Sequence, residues 1–409
     1  MKLFSPFSLA IILISFGCSS TYSQEITIKN TLNIERIDEL VCIPITKIDT
    51  RVLNKELTPI IYDNNSRAIP FQLEDINDDG EWDQLIFVTN FKPGEVKKIH
   101  YNVIEKSKTP SFQKATDIHF GVGNSRANIS EVQYYNRIND PRLAPQKKIF
   151  QMEGPAWEND KVGFRMYFDP RNGIDIFGKT TSNLTLSTVG ILGDYHTKES
   201  WGMDILKVGN SLGAGAIAIQ LKDSLYRITG KNGAAFKVIE EGPIKASFEI
   251  NYVNDKIHKI PIQTKHKVSI YKGQWYYKSE IYLSGITSEM KLVAGIANLK
   301  PNTMHIKKGE DNVSMYSFGK QSENGDHLGM ALILNKDVYY THGTIQKKET
   351  GITNTHYVVF NSENKIPLSY YFLSGWEASD SKFKSEEGFS KEIETILQKL
   401  ANPIVVEYE

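Results

Sequence analysis

Residues 244–283 read IKASFEINYVNDKIHKIPIQTKHKVSIYKGQWYYKSEIYL. Within them Ile244 to Tyr252, Lys267 to Tyr271 and Trp275 to Leu283 alternate apolar with polar side chains and are rich in β-branched and aromatic residues. That is the pattern of strands with one face in a core. Gly273 and Gly285 punctuate them as turns. Outward from this stretch the pattern recurs at Gly163 to Phe168, Ala216 to Leu221, Met290 to Ile296, Met330 to Leu334 and Val338 to Tyr340. One segment departs from it. From Glu386 to Leu400, the residues Ile393, Ile396, Leu397 and Leu400 fall on one face of a helix, which Pro403 stops. The second part of the chain, residues 109–409, therefore reads as a large antiparallel double-sheet sandwich with few helices.

Residues 25–108 read as a separate, smaller β-sandwich. Bursts such as Glu25-Ile26-Thr27-Ile28 and Gln84-Leu85-Ile86-Phe87-Val88 alternate with turn formers at Asp63-Asn64-Asn65, Asp79-Gly80 and Pro93-Gly94. The stretch Lys106 to Thr116, with Pro110, reads as a linker. Residues 1–24 read as a secretory signal: Lys2, the apolar run Leu9 to Phe16, then Gly17-Cys18-Ser19-Ser20. Gly17-Cys18 resembles a bacterial lipobox, with Ser15 where Leu is usual, so a periplasmic protein anchored by lipid at Cys18 is one expectation. Ordinary cleavage near Ser23 is the other. No later segment is apolar enough to span a bilayer.

Composition narrows the function. The 409 residues hold 48 Lys plus Arg against 48 Asp plus Glu, a balance that argues against a general nucleic-acid binder. The only cysteines are Cys18 and Cys42, so no disulfide framework holds the fold. Paired-His zinc spacing and the Gly-x-Ser-x-Gly elbow are both missing from the sequence. Asp75, Asn77, Asp79 and Asp83 alternate around Gly80 like the first part of a calcium loop, but Ile86 stands where a bidentate Glu belongs. A polar Asp-Gly hairpin explains the same residues, and no cofactor is expected beyond such a structural ion.

Two stretches concentrate chemistry. The first is EGPAWENDKVGFRMYFDPRNGIDIFGK, residues 153–179. It sets Trp157, Glu158, Asn159, Arg165, Tyr167 and Arg171 close together, which suits a saccharide: aromatic faces for C–H groups, planar partners for hydroxyls, and Arg for a carboxylate. An alternating strand with its polar side in water explains it equally well. The second is YHTKESWGMDILKVGNSLGAGA, residues 195–216, with Tyr195, His196, Trp201 and Lys207. Its glycines imply loops, and the Gly-Lys-Ser order of a phosphate loop is missing. His196 is a candidate base near neutral pH, although a single His is more often structural.

Both stretches, with the C-terminal GWEASDSKFKSEEGF and LANPIVVEY, resemble signatures of a domain-of-unknown-function family of secreted proteins from polysaccharide-degrading bacteria. That family includes an ulvan-oligosaccharide dehydratase. The resemblance implies a galactose-mutarotase-like super-β-sandwich and an acidic, sulfated oligosaccharide as partner, with no obligate protein partner. The implied reaction removes water across C4 and C5 of a terminal glucuronate or iduronate. Such chemistry needs a cation on the carboxylate, a base for the C5 proton and an acid for O4. Arg165 is assigned to the carboxylate with Arg171 as substitute, His196 to the base, Tyr167 or Tyr195 to the acid, and Lys207 to a sulfate or carboxylate. Trp157 and Trp201 are assigned to stacking, with Glu158 and Asn159 to hydroxyls. A non-catalytic oligosaccharide-binding protein, or a lyase or epimerase, is the alternative on the same fold.

Overall fold

The structure, a computed structural model, describes residues 24–138, 148–191, 193–346, 351–361 and 367–408. The leader expected at 1–24, with Cys18, lies outside the described residues except for Gln24. The architecture is all-β: a small N-terminal sandwich and a large antiparallel one, with a single α-helix among the described residues.

The small sandwich pairs a four-stranded sheet with a three-stranded one. Strand order is Val405–Tyr408, Gln24–Lys29, Val96–Glu105, Leu57–Tyr62 in the first and Arg36–Pro44, Gln84–Phe91, Phe71–Glu74 in the second. Ile26, Ile28, Val41, Ile43, Leu85, Phe87 and Ile99 fill the space between. The alternation read from sequence is the physical cause, since every second side chain reaches that core. The last described strand, expected in the second sandwich, pairs instead with the first described strand, Ile28 opposite Val406. Four alternating residues do not carry enough pattern to name their partner.

The turn Asp75 to Asp83 is built on its own backbone. Asp75 accepts from the N–H groups of Asp78 (2.7 Å) and Gly80 (2.8 Å), Asn77 from that of Asp79 (2.9 Å), and Asp83 from that of Ile76 (2.7 Å). Among the described residues no three His, Cys, Asp or Glu side chains converge as a metal site. The stretch after residue 106 is held at both ends. Phe112 meets Phe71 edge-on at 5.7 Å, and Lys114 reaches Asp117 (3.6 Å) and Glu241 (3.4 Å).

In the large sandwich a nine-stranded sheet carries residues 244–283. Lys245–Ile257, Ile260–Tyr271 and Tyr276–Ser284 are consecutive neighbours in it. Phe248, Ile250, Val268, Ile270, Tyr277 and Ile281 point into the main core, against two five-stranded sheets. One of these runs Gly202–Asp204, Ile174–Lys179, Val162–Met166, Ala156–Asn159, Thr116–His119; the other is centred on Ala214–Leu221 and Met290–Ala297. The helix Glu386–Ala401 covers the far face of the nine-stranded sheet, burying Phe389, Ile393, Ile396 and Leu397. Ser385 caps it, its hydroxyl accepting from Gly388 N–H, with Glu386 and Glu387 in the first turn.

The candidate site, a buried charge cluster with one exposed imidazole

The five-stranded sheet beginning at Gly202–Asp204 has an apolar face and a charged one. Trp157, Phe164, Met166, Ile174 and Ile176 belong to the main core. Strand alternation therefore sends Glu158, Arg165, Asp175 and Lys179 to the opposite side. That side is not in water. Met152, Leu186 and Val189, with Tyr195 and Trp201 against them, roof it over Ala156 and Phe177.

Under the roof lie two charge clusters. Lys179 is paired with Glu158, whose other oxygen accepts from Thr185 and Leu186 N–H groups at 2.6 Å each. This pair fastens the roof to the sheet. In the second cluster the fully buried Arg165 guanidinium donates to Asp175 (2.6 Å), to Met152 O and to the Tyr167 hydroxyl (3.2 Å), and lies 3.5 Å from Asp204. The Tyr167 ring lies between two guanidinium groups, Arg165 and Arg171, each 4.0 Å from its centroid. Arg171 is held by Asp169 (2.6 Å) and Glu153 (2.8 Å), with its side chain 38% exposed.

Asp204 owes its place to a glycine. Gly202 has φ +135°, and a Cβ there would lie 1.8 Å from the Gly178 carbonyl oxygen, so only glycine lets this edge strand close on its neighbour. On the outer side of Asp204, His196 Nδ1 stands 3.4 Å from Oδ2, and its side chain is 62% exposed. The Asp204 N–H donates to Tyr195 O at 2.8 Å, which fixes the loop that carries the imidazole. The Tyr195 and His196 rings are 4.5 Å apart.

The electrostatics follow from burial. Asp204 and Asp175 share one guanidinium, so burial first, and then the charge of Asp175, push the Asp204 carboxyl well up against the pull of Arg165. Burial likewise raises the Tyr195 hydroxyl, and Arg165 opposes that rise. Tyr167 is raised by burial and by Asp175. Both tyrosines thus stay protonated donors at neutral pH.

The structure brings together Arg165, Tyr167, Arg171, Tyr195 and His196. It removes others from the expected site. Arg165 is buried with its guanidinium committed, so it does not meet a substrate carboxylate directly. Trp157 is fully buried between Phe164, Phe248 and Tyr277 and stacks on no sugar. Glu158 is consumed by Lys179 and the roof. Asn159 is buried too, accepting from Lys161 and Val162 N–H groups and donating to the Tyr271 and Gln274 carbonyls. Trp201 is part of the roof, its indole N–H donating to Glu199 at 3.2 Å. Lys207 lies elsewhere, on a cavity of about 400 Å³ with Lys300, Gln321 and Glu323.

Sequence reasoning gave no role to Asp204, Asp175 or Glu153, although all three stand in the two quoted stretches. It also missed the pair of His327 Nδ1 with Glu377 Oε2 at 2.7 Å, which uses the Glu of the C-terminal GWEASD motif. The spacing His196 to Asp204 was legible, but only the turn between them shows that they meet.

The family described as "Domain of unknown function (DUF4861)" matches residues 28–406. The chain belongs to this family. A relative in Formosa agariphila, called "Uncharacterized protein P7", is 24% identical over 421 residues, covering 95% of each chain. Two solved structures from Enterococcus faecalis are also similar, one described as a protein in the Glycosyl Hydrolase Family 38 and one as an alpha-mannosidase. Each superposes at TM-score 0.41 and 10% identity over 95% of this chain, covering 47% and 46% of their own chains. The DUF4861 chain thus spans about half the length of those solved structures, and a likeness this remote carries no function across.

Proposed function

We propose that this chain is a carbohydrate-active enzyme that removes water across C4 and C5 of a terminal glucuronate or iduronate on a sulfated, rhamnose-containing ulvan oligosaccharide. The observation that carries the reading is the exposed His196 imidazole backed by the buried Asp204 carboxyl, with Arg171 and Tyr195 in the same cluster. The sequence signatures of residues 153–179 and 195–216 support the choice of substrate. Export to the periplasm, with Cys18 as lipid anchor, belongs to the same reading.

Arg171 matches the uronate carboxylate, which acidifies the C5 proton and stabilises the enolate-like state. His196 Nε2 takes that proton as Asp204 holds the ring through Nδ1. The C5–H electron pair becomes the C4=C5 bond, the C4–O4 bond breaks, and O4 leaves as water with the Tyr195 proton. Arg165, behind Tyr195, favours the transient phenolate, which the imidazolium proton then resets. Arg165 is a positioning residue in this scheme.

The test is incubation with uronate-terminated ulvan fragments, following the ultraviolet absorbance of a new conjugated C4=C5 uronate. Rising absorbance with loss of one water by mass is expected. Binding of the fragments without any absorbance favours a non-catalytic oligosaccharide-binding protein.

A further inference from the structure

A second cavity lies where three parts of the molecule meet: the small sandwich, the outer face of the nine-stranded sheet and the helix Glu386–Ala401. It measures about 230 Å³. Tyr271, Tyr276 and Tyr371 from the sheet line one side, Leu40 and Cys42 from the small sandwich another, and Ile396 and Leu400 from the helix a third.

Its walls are tied in place. Lys245 is paired with Glu74 and with Glu240 (2.7 Å), Gln274 donates to Asp38 O (2.7 Å), and Arg36 donates to Asn402 O (2.6 Å). A preformed wall lowers the cost of binding. The charged groups at the rim already have partners. Glu39 is paired with Arg36 (2.9 Å) and Lys399 (3.0 Å), and Lys278 with Glu280 (2.9 Å). The Cys42 thiol, pushed up to about 12 by burial and by Glu74, is neutral. The cavity therefore offers no uncommitted charge.

It does offer hydroxyl groups. Tyrosine O–H groups at half-buried positions usually find partners. None of the Tyr271, Tyr276 and Tyr371 hydroxyls has a hydrogen-bond partner among the described residues, and all three stay protonated because burial raises them. The Tyr276 and Tyr371 rings meet edge to face at 5.2 Å, presenting aromatic surface beside those hydroxyls. Aromatic faces with uncommitted hydroxyls and balanced charge suit a ligand with C–H faces and neutral hydroxyls. At roughly 30 Å³ per water the space holds about eight waters, which is room for one sugar ring and not a chain.

We propose that this seam cavity binds a single neutral sugar residue, held by the hydroxyls of Tyr271, Tyr276 and Tyr371. The site is separate from His196 and does not depend on the reaction proposed above. It also links the small sandwich to the sheet, so its ligand stabilises their contact.

The test is calorimetric titration of the full chain with D-glucose, D-xylose and L-rhamnose, with D-glucuronate as the charged control. Saturable binding of at least one neutral sugar is expected, weaker by about 3- to 10-fold in each of Tyr276→Phe and Tyr371→Phe, the scale of one hydrogen bond. The melting temperature of both variants should stay at the wild-type value, because the lost hydroxyls have no protein partner. Binding should survive His196→Ala. The proposal is overturned by the lack of saturable binding for all three neutral sugars or by tighter binding of glucuronate. It fails equally if affinity is retained in both Tyr variants, if they melt lower, or if binding disappears in His196→Ala.

Discussion

His196 and Asp204 form a pair of opposites: an imidazole 62% exposed, 3.4 Å from a carboxyl whose side chain is 3% exposed. Eight residues apart in sequence, they meet because the Tyr195 carbonyl accepts from the Asp204 N–H. The pair sets an imidazole open to solvent against a carboxyl closed to it.

Replacing His196 with Ala should therefore separate activity from stability. The exposed ring contributes little to packing, so the melting temperature should hold while turnover of uronate-terminated fragments falls about 100- to 10,000-fold. Retention of more than about a tenth of turnover in a folded variant rules the imidazole out as the base.

The two arginines on the Tyr167 ring should behave differently. Arg165→Ala leaves Asp175 and Asp204 buried without their cation, and should cost about 3–5 kcal/mol in denaturant unfolding. Arg171→Ala opens a half-exposed position. It should lower turnover with a much smaller loss of stability. Equal stability losses in the two variants would contradict this division.

Trp157→Ala should act as a core deletion, costing about 3–5 kcal/mol. Any loss of oligosaccharide binding should track the unfolded fraction measured by thermal melting. A folded variant with selectively weakened binding would return Trp157 to the site.

Asp117 gives a pH prediction. Burial, and then the charge of Glu241, raise its carboxyl from 3.8 to about 7, with Lys114 opposing. Above about pH 4 the unfolded chain releases this proton while the folded chain keeps it. Stability from this group thus falls as pH rises to about 7 and is level beyond, by at most ~1.4 kcal/mol per pH unit. Asp117→Asn should flatten the stability profile across that window and melt higher than wild type at pH 8.

The strands were readable because alternation is local: Lys245–Ile257 and Tyr276–Ser284 declare their core faces through Phe248, Ile250, Tyr277 and Ile281. The helix declared itself through Ile393, Ile396 and Leu397. The site was readable as a region but not residue by residue. Arg165, Glu158 and Lys179 alternate with apolar neighbours as solvent-facing residues do, and only the roof of Leu186 and Val189 reverses that reading. Trp157 sits next to Glu158, and a one-residue step along a strand sends a side chain to the opposite face. Tertiary cover is not a local property, so it could not be read from spacing.

The pairing of Gln24–Lys29 with Val405–Tyr408 has a consequence for synthesis. The small sandwich begins with the first described strand, yet one of its strands emerges some 300 residues after its others, which are complete by Glu105. At ribosomal rates of about 5–20 residues per second, the emerging chain holds an unfilled sheet edge beside Ile26 and Ile28 for on the order of half a minute. Until Val405–Tyr408 arrive, that edge is a place where another strand can pair. This late-made strand acts as a clasp, and the large sandwich is in effect a long loop thrown out between two strands of the small one.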